Sequence, residues 1–288
     1  MKKIMSLLLA LCLVGLSAAS AAETKEETDP VLLVQTILDS VAETDEIIAS
    51  VKEIIRWQLD DSQETLAAYK EAVKNGEDFQ TGSDEEEVRQ KADQLGRYIT
   101  RVEALEDRVE AMDYVGLVSI DKTISAAKVY FNWLGAAMRD LMSIFDFYFA
   151  EQEAGRELAA YNSDDYSDVG KSIEDLYFII DDMTAGMAAI QCPPYMRECF
   201  NRYINTTGVY CSILNSMYTA VQLNDVLRST SAQLLTGRMA IQIANCEIEL
   251  TELFNLQYEK VEKRIDGDVE TLRRELNENC AALLAAMM

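Results

Sequence analysis

The sequence predicts an all-α fold: an elongated antiparallel helical bundle with coiled-coil-like packing. Three observations lead there. Only three prolines occur in 288 residues, at positions 30, 193 and 194, so long stretches are free of the residue that most strongly breaks helices. Alternation with period two is almost absent, and apolar residues recur at spacings of three and four.

Residues 1–22, MKKIMSLLLALCLVGLSAASAA, read as a secretory signal peptide: two lysines, an apolar stretch, then small residues at Ala19-Ser20-Ala21. Cleavage is expected near Ala22 or Glu23. The lysine-led, compact leader resembles bacterial ones. A weaker alternative is lipid modification of Cys12, where Leu9-Ala10-Leu11-Cys12 loosely resembles a lipobox, but Leu11 replaces the usual small residue. No later segment is apolar for the roughly 20 residues that a spanning helix needs. The expectation is an exported protein, secreted or in the cell envelope, with no transmembrane helix after signal removal.

The first mature helix is expected from Asp29, as N-cap, and Pro30 to about Lys74, with Val34, Ile37, Val41, Ile48, Val51 and Ile55 on one face and Leu66, Tyr69 and Val73 continuing it. A capping box, Ser83 with Glu86, opens the second helix, whose seam is Val88, Ala92, Leu95, Ile99, Val102, Leu105, Val109 and Met112. It should run antiparallel to the first. A break is expected over residues 113–119, around Gly116, with Ser119 as the next N-cap. Residues 124–149 are apolar on more than one face, which places them centrally.

The polar stretch 162–170, NSDDYSDVG, is the candidate boundary between an N-terminal half, 23–161, and a C-terminal, cysteine-containing half, 171–288. Within the latter, helices are expected over 171–191, ended by Pro193-Pro194, over 195–224, and from Ser229 or Ser231 to the C-terminus with a break at Gly267.

Five of the six cysteines follow residue 22. A hairpin turning near residue 228 puts Cys211 and Cys246 at mirror positions, where a disulfide closing a loop of about 35 residues would contribute roughly 3 to 4 kcal/mol. The alternative is a pair of reduced, well-packed core thiols. Cys192 and Cys199 flank the Pro-Pro turn and are a second disulfide candidate, which leaves Cys280 unpaired. No C-x-x-C spacing occurs, so neither a thioredoxin-like site nor a zinc ribbon finds support.

Composition excludes much chemistry. The chain has no histidine, which removes Ser-His-Asp and Cys-His nucleophiles, histidine bases and histidine metal ligation. A net charge of −24 repels phosphate backbones, so nucleic acid is not an expected partner. Ser119-Ile120-Asp121-Lys122 matches S-x-x-K without the accompanying K-T-G or S-D-N. Gly170-Lys171-Ser172 matches the end of a P-loop, but the required earlier glycine is Asp165. Asp164, Asp165 and Asp168 offer oxygens to a hard cation without EF-hand spacing, and solvated capping acids are the simpler reading.

The expected function is therefore non-enzymatic and without cofactor: an exported acidic bundle acting as an interaction or structural module toward a protein or a cationic envelope component. Two alternatives are a helical pore-former using residues 124–149, and an extracytoplasmic small-ligand binder with a pocket among Tyr177, Phe178, Met183, Tyr203 and Tyr210.

Overall fold

The computed structural model describes residues 29–76, 85–112, 114, 117–162 and 167–288. The described residues form an all-α bundle of seven α-helices: α1 (Pro30–Asn75), α2 (Glu85–Glu110), α3 (Val118–Ala160), α4 (Val169–Ala189), α5 (Arg197–Gln222), α6 (Val226–Arg264) and α7 (Glu270–Met287). The expectations for the leader, for Cys12, for the Ser83 cap, for Gly116 and for Asp164 and Asp165 lie outside the described residues.

The start of α1 follows from its cap: the Asp29 carboxylate accepts from Val31 N at 2.9 Å, and Pro30 opens the first turn. Gly76 ends the helix with φ 71°, a left-handed conformation that costs glycine nothing. Between these ends the expected seam is buried from Val34 to Ile55. Leu66, Tyr69 and Val73 continue the stripe but are only half-buried. Leu66 and Tyr69 face a cavity instead of a packed neighbour.

Ion pairs fix the direction of α2. Arg108 meets Glu43 at 3.2 Å and Arg101 meets Glu46 at 3.8 Å, while Lys91 lies 5.5 Å over the Trp57 ring. Numbers fall on one helix as they rise on the other, so the pair is antiparallel. Helix α3 runs beyond the expected 124–149 at both ends. Its N-cap is Leu117, not Ser119, which sits inside the first turn and offers its carbonyl to Thr123 at 3.0 Å. At the other end the polar run after Phe149 stays helical to Ala160, with Ala154 and Leu158 packed against the apolar cluster that contains Met183 and Met187 of α4.

Asp168 caps α4, accepting from Gly170 N at 2.8 Å and Lys171 N at 3.4 Å. The amides that a P-loop would turn toward phosphate are thus taken by the protein's own carboxylate. The α5–α6 turn falls at Leu223 and Asn224, and Asp225 caps α6 through Arg228 N at 3.1 Å. The turn therefore lies a few residues before the expected position near 228. The expected break at Gly267 is absent: α6 passes into α7 through a π-helical stretch, Ile265–Val269, and the two form one continuous rod.

Two apolar cores result. The first joins α1, α2, most of α3, the C-terminal part of α6, the π-helical stretch and α7, from Val34 and Ile37 to Leu276 and Cys280. The second joins α4, α5 and α6 to the C-terminal part of α3 through Phe147, whose ring lies 4.9 Å from Phe200 and 5.6 Å from Phe254. Helices α3 and α6 run through both cores. The cores thus cut across the boundary that the polar segment 162–170 suggests.

Candidate functional site

Where the two cores meet, six helices leave a cavity of about 450 Å³. Gln58, Asp61, Ser62, Thr65, Leu66 and Tyr69 of α1 form one wall, and Phe145, Tyr148, Glu151, Gln152, Gly155 and Leu158 of α3 a second. Val88 of α2, Met183 and Met187 of α4 and Tyr203 of α5 contribute single faces, and Glu247, Leu250, Thr251, Phe254 and Tyr258 of α6 complete the lining. This volume falls in the range of small-molecule pockets, about 300 to 1,000 Å³, which combine apolar walls with a few placed polar groups.

The local sequence explains the opening. Glu151 and Gly155 fall on the inward face of α3 one turn apart, where an apolar stripe would have placed larger side chains. A Cβ built on Gly155 meets nothing within 4 Å. On α6, Glu247, Leu250, Thr251, Phe254 and Tyr258 follow spacings of three and four, so the rod presents one mixed face to the cavity.

Three acids, Asp61, Glu151 and Glu247, line the cavity, and no lysine or arginine does. Glu247 is held by two phenols: Tyr203 donates to it at 2.9 Å, and Tyr69 donates from the opposite wall. Burial raises the Glu247 pKa, against the lowering effect of the two phenol hydrogen bonds. Burial, then the neighbouring Glu247 charge, pushes Glu151 up to about 7. Glu151 is half-buried on the cavity wall and has no hydrogen-bond partner among the described residues, while Gln58 Oε1 is fully buried without one. Tyr258 is 3 % exposed, and burial raises its phenol above the ordinary value of 10. Tyr203 is raised for the same reason, with Glu247 and Glu151 adding to the effect.

Of the two carboxylates, Glu151 can exchange a proton near neutral pH. The lining offers neither a paired nucleophile nor an arginine, lysine or histidine to stabilise developing negative charge. It can hold a positively charged or hydrogen-bond-donating group between Glu151 and Glu247. Among the described residues no group of three Asp, Glu, Cys or His side chains converges as a metal site.

Of the pocket residues expected from the sequence, Met183 and Tyr203 line this cavity. Tyr177 and Tyr210 pack half-buried against the second core, and Phe178 is 55 % exposed with its ring 5.1 Å from that of Tyr177. Sequence reasoning missed Glu151, Glu247, Tyr69 and Tyr258. Glutamates in a chain with 50 acids carry no individual signal, although an acid on the inward side of an otherwise apolar helical face does.

The cysteines correct the expected register. All five described cysteines are free thiols. Cys211 does not face Cys246: it points at α4, with Tyr177 O and Asp181 Oδ1 each 3.7 Å from its sulfur. With the hairpin turning at 223–224, Cys246 lies beside Cys199, whose thiol donates to the Cys246 carbonyl at 3.6 Å. The Cys192 thiol donates to the Pro193 carbonyl at 3.4 Å, and Cys280 is buried in the first core. Among the described residues no helix is long and apolar enough to cross a membrane.

Compared with known proteins, the chain matches no family model, no curated protein and no solved structure.

Proposed function

We propose that this chain is an exported, non-enzymatic binding protein that holds a small ligand in the cavity between its two cores. The observation that carries the reading is the Glu151 carboxylate: half-buried on the wall of a ligand-sized cavity, beside a second carboxylate and without a hydrogen-bond partner among the described residues. A protein that only packed helices would gain by replacing Glu151 with an apolar residue, because ionising an acid whose pKa desolvation raises costs free energy. The leader read at residues 1–22 supports the extracytoplasmic setting.

The test is a cavity-filling variant. Gly155→Leu should close the site while improving the intrinsic helix propensity of α3, so the variant should fold at least as well and bind nothing that the wild type binds. Ligand-detected nuclear magnetic resonance against a fragment set reads the difference. Fragments that bind both chains equally would refute the cavity as the site.

A second reading rests on α6. Its first part extends beyond the core and exposes Leu227 (83 %), Leu234 (68 %) and Ile241 (54 %) at heptad spacing. Residues 226–245 carry Arg228 and Arg238 and no acid, in a chain of net charge −24. This is where two copies can approach with least repulsion, and a second copy is the proposed occupant. Sedimentation should show a dimer that Leu234→Glu returns to monomer; a wild-type monomer at high concentration would refute it.

A further inference from the structure

The walls of the cavity also specify what it takes. We infer, building on the binding reading above, that the ligand is an organic ammonium ion with an apolar or aromatic body, its charge held between Glu151 of α3 and Glu247 of α6. The geometry argues this through what each kind of ligand would leave behind. An anion would add a like charge to a site already lined by three acids and no base. A neutral body would leave Glu151 desolvated and unpaired. A cation satisfies Glu151, relieves its repulsion with Glu247 and keeps the Tyr203 and Tyr69 hydrogen bonds that aim Glu247 inward.

The remaining lining fits the other end of such a molecule. Tyr148, Phe145, Phe254 and Tyr258 are aromatic, Phe145 and Tyr258 meet edge to face with centroids 6.3 Å apart, and Met183 and Met187 close the α4 side. Aromatic faces attract a cation through their quadrupole, and methionine adapts its shape to an apolar body. The α2 ion pair of Glu85 and Arg89 acts on Tyr148 from outside the lining; the other titratable groups of the lining itself are Asp61 and Tyr69 on α1, Tyr148 on α3, Tyr203 on α5, and Glu247 and Tyr258 on α6. No group of the lining carries positive charge, which leaves that role to a ligand.

Binding should be linked to protons. A cation stabilises the ionised form of Glu151, so near neutral pH its entry should expel a proton, and acidification should weaken the complex. Isothermal titration calorimetry on the full mature chain tests this with three probes of similar size: 2-phenylethylammonium, 2-phenylethanol and 3-phenylpropionate. The ammonium should bind one to one, on the order of tenfold or more tighter than either of the others, with an enthalpy that depends on the buffer because a proton is released. Glu151→Gln should lose at least that tenfold and the buffer dependence. Glu87→Gln, an exposed acid in the first turn of α2, should lose neither, which separates the cavity from general attraction to an acidic surface. If the alcohol binds as tightly as the ammonium, or Glu151→Gln changes nothing, the cation inference fails and the binding reading stands. If none of the three binds, the binding reading falls with it.

Discussion

Replacing Glu151 by glutamine gives a stability experiment whose sign is fixed by the fold. The ordinary glutamate value is 4.5, and in the folded chain burial and then Glu247 raise Glu151 to about 7. Between those values the folded protein holds a proton that the unfolded chain has released. Stability therefore falls as pH rises through this window and levels off above it. With about 1.4 kcal/mol for each tenfold change in proton affinity, the loss amounts to about 3 kcal/mol. Glutamine keeps the shape of the protonated acid and cannot ionise, so the variant should match the wild type near pH 4.5 and exceed it by about 3 kcal/mol near pH 8. Urea unfolding followed by far-ultraviolet circular dichroism, at several pH values, reads the difference directly. Other acids titrate in both chains and cancel in the comparison. Parallel curves, with a difference that does not grow between pH 5 and 7, would refute the placement of Glu151 in a desolvated site.

Other substitutions test the frame around the cavity. In the first core Thr44 Oγ1 lies 2.5 Å from the Tyr130 hydroxyl and donates to Val41 O at 2.6 Å; Thr44→Val should cost about 1 to 3 kcal/mol by stranding the buried phenol, and Tyr130→Phe in the same chain should recover part of it in a double-mutant cycle. Asp168→Ala removes the α4 cap and should cost about 1 kcal/mol in thermal or urea unfolding. Burial raises every described thiol, Cys199, Cys211 and Cys280 to about 11, so alkylation of the native protein at pH 8 should be slow. Mass spectrometry should find the half-buried Cys192 and Cys246 modified first, and Cys280 only on unfolding. Rapid labelling of Cys280 in the native state would contradict its packing.

The architecture was legible in the sequence where one physical cause acts alone. Asp29-Pro30 marked the start of α1 and Pro193-Pro194 the end of α4, because capping and a missing amide are local effects. The inward faces of α1 and α2 were legible from their spacing. The end of α3 was not: apolar density stops at Phe149, whereas the helix continues with the widely spaced Ala154 and Leu158 on the second core and the cavity beside them. The α5–α6 register was misread because residues 225–231 contain several capping side chains, and the choice of Asp225 over Ser229 shifts every cross-helix partner, Cys246 included. Gly267 looked like a break since propensity weighs against glycine, yet tertiary contacts carry the rod across it, with Ile265 and Val269 buried on either side. The candidate site was half visible, as Met183 and Tyr203, because its aromatic and sulfur side stands out. Its acidic side is hidden in a composition full of acids.

The return of α7 to pack beside α1 has a consequence for biosynthesis. Leu276 and Cys280 belong to the same core as Val34 and Ile37, so the larger core stays unfinished until the final turns have left the ribosome. Until that helix docks, the apolar faces that Ile37 and Phe145 present lack their last wall, while the second core needs nothing from it.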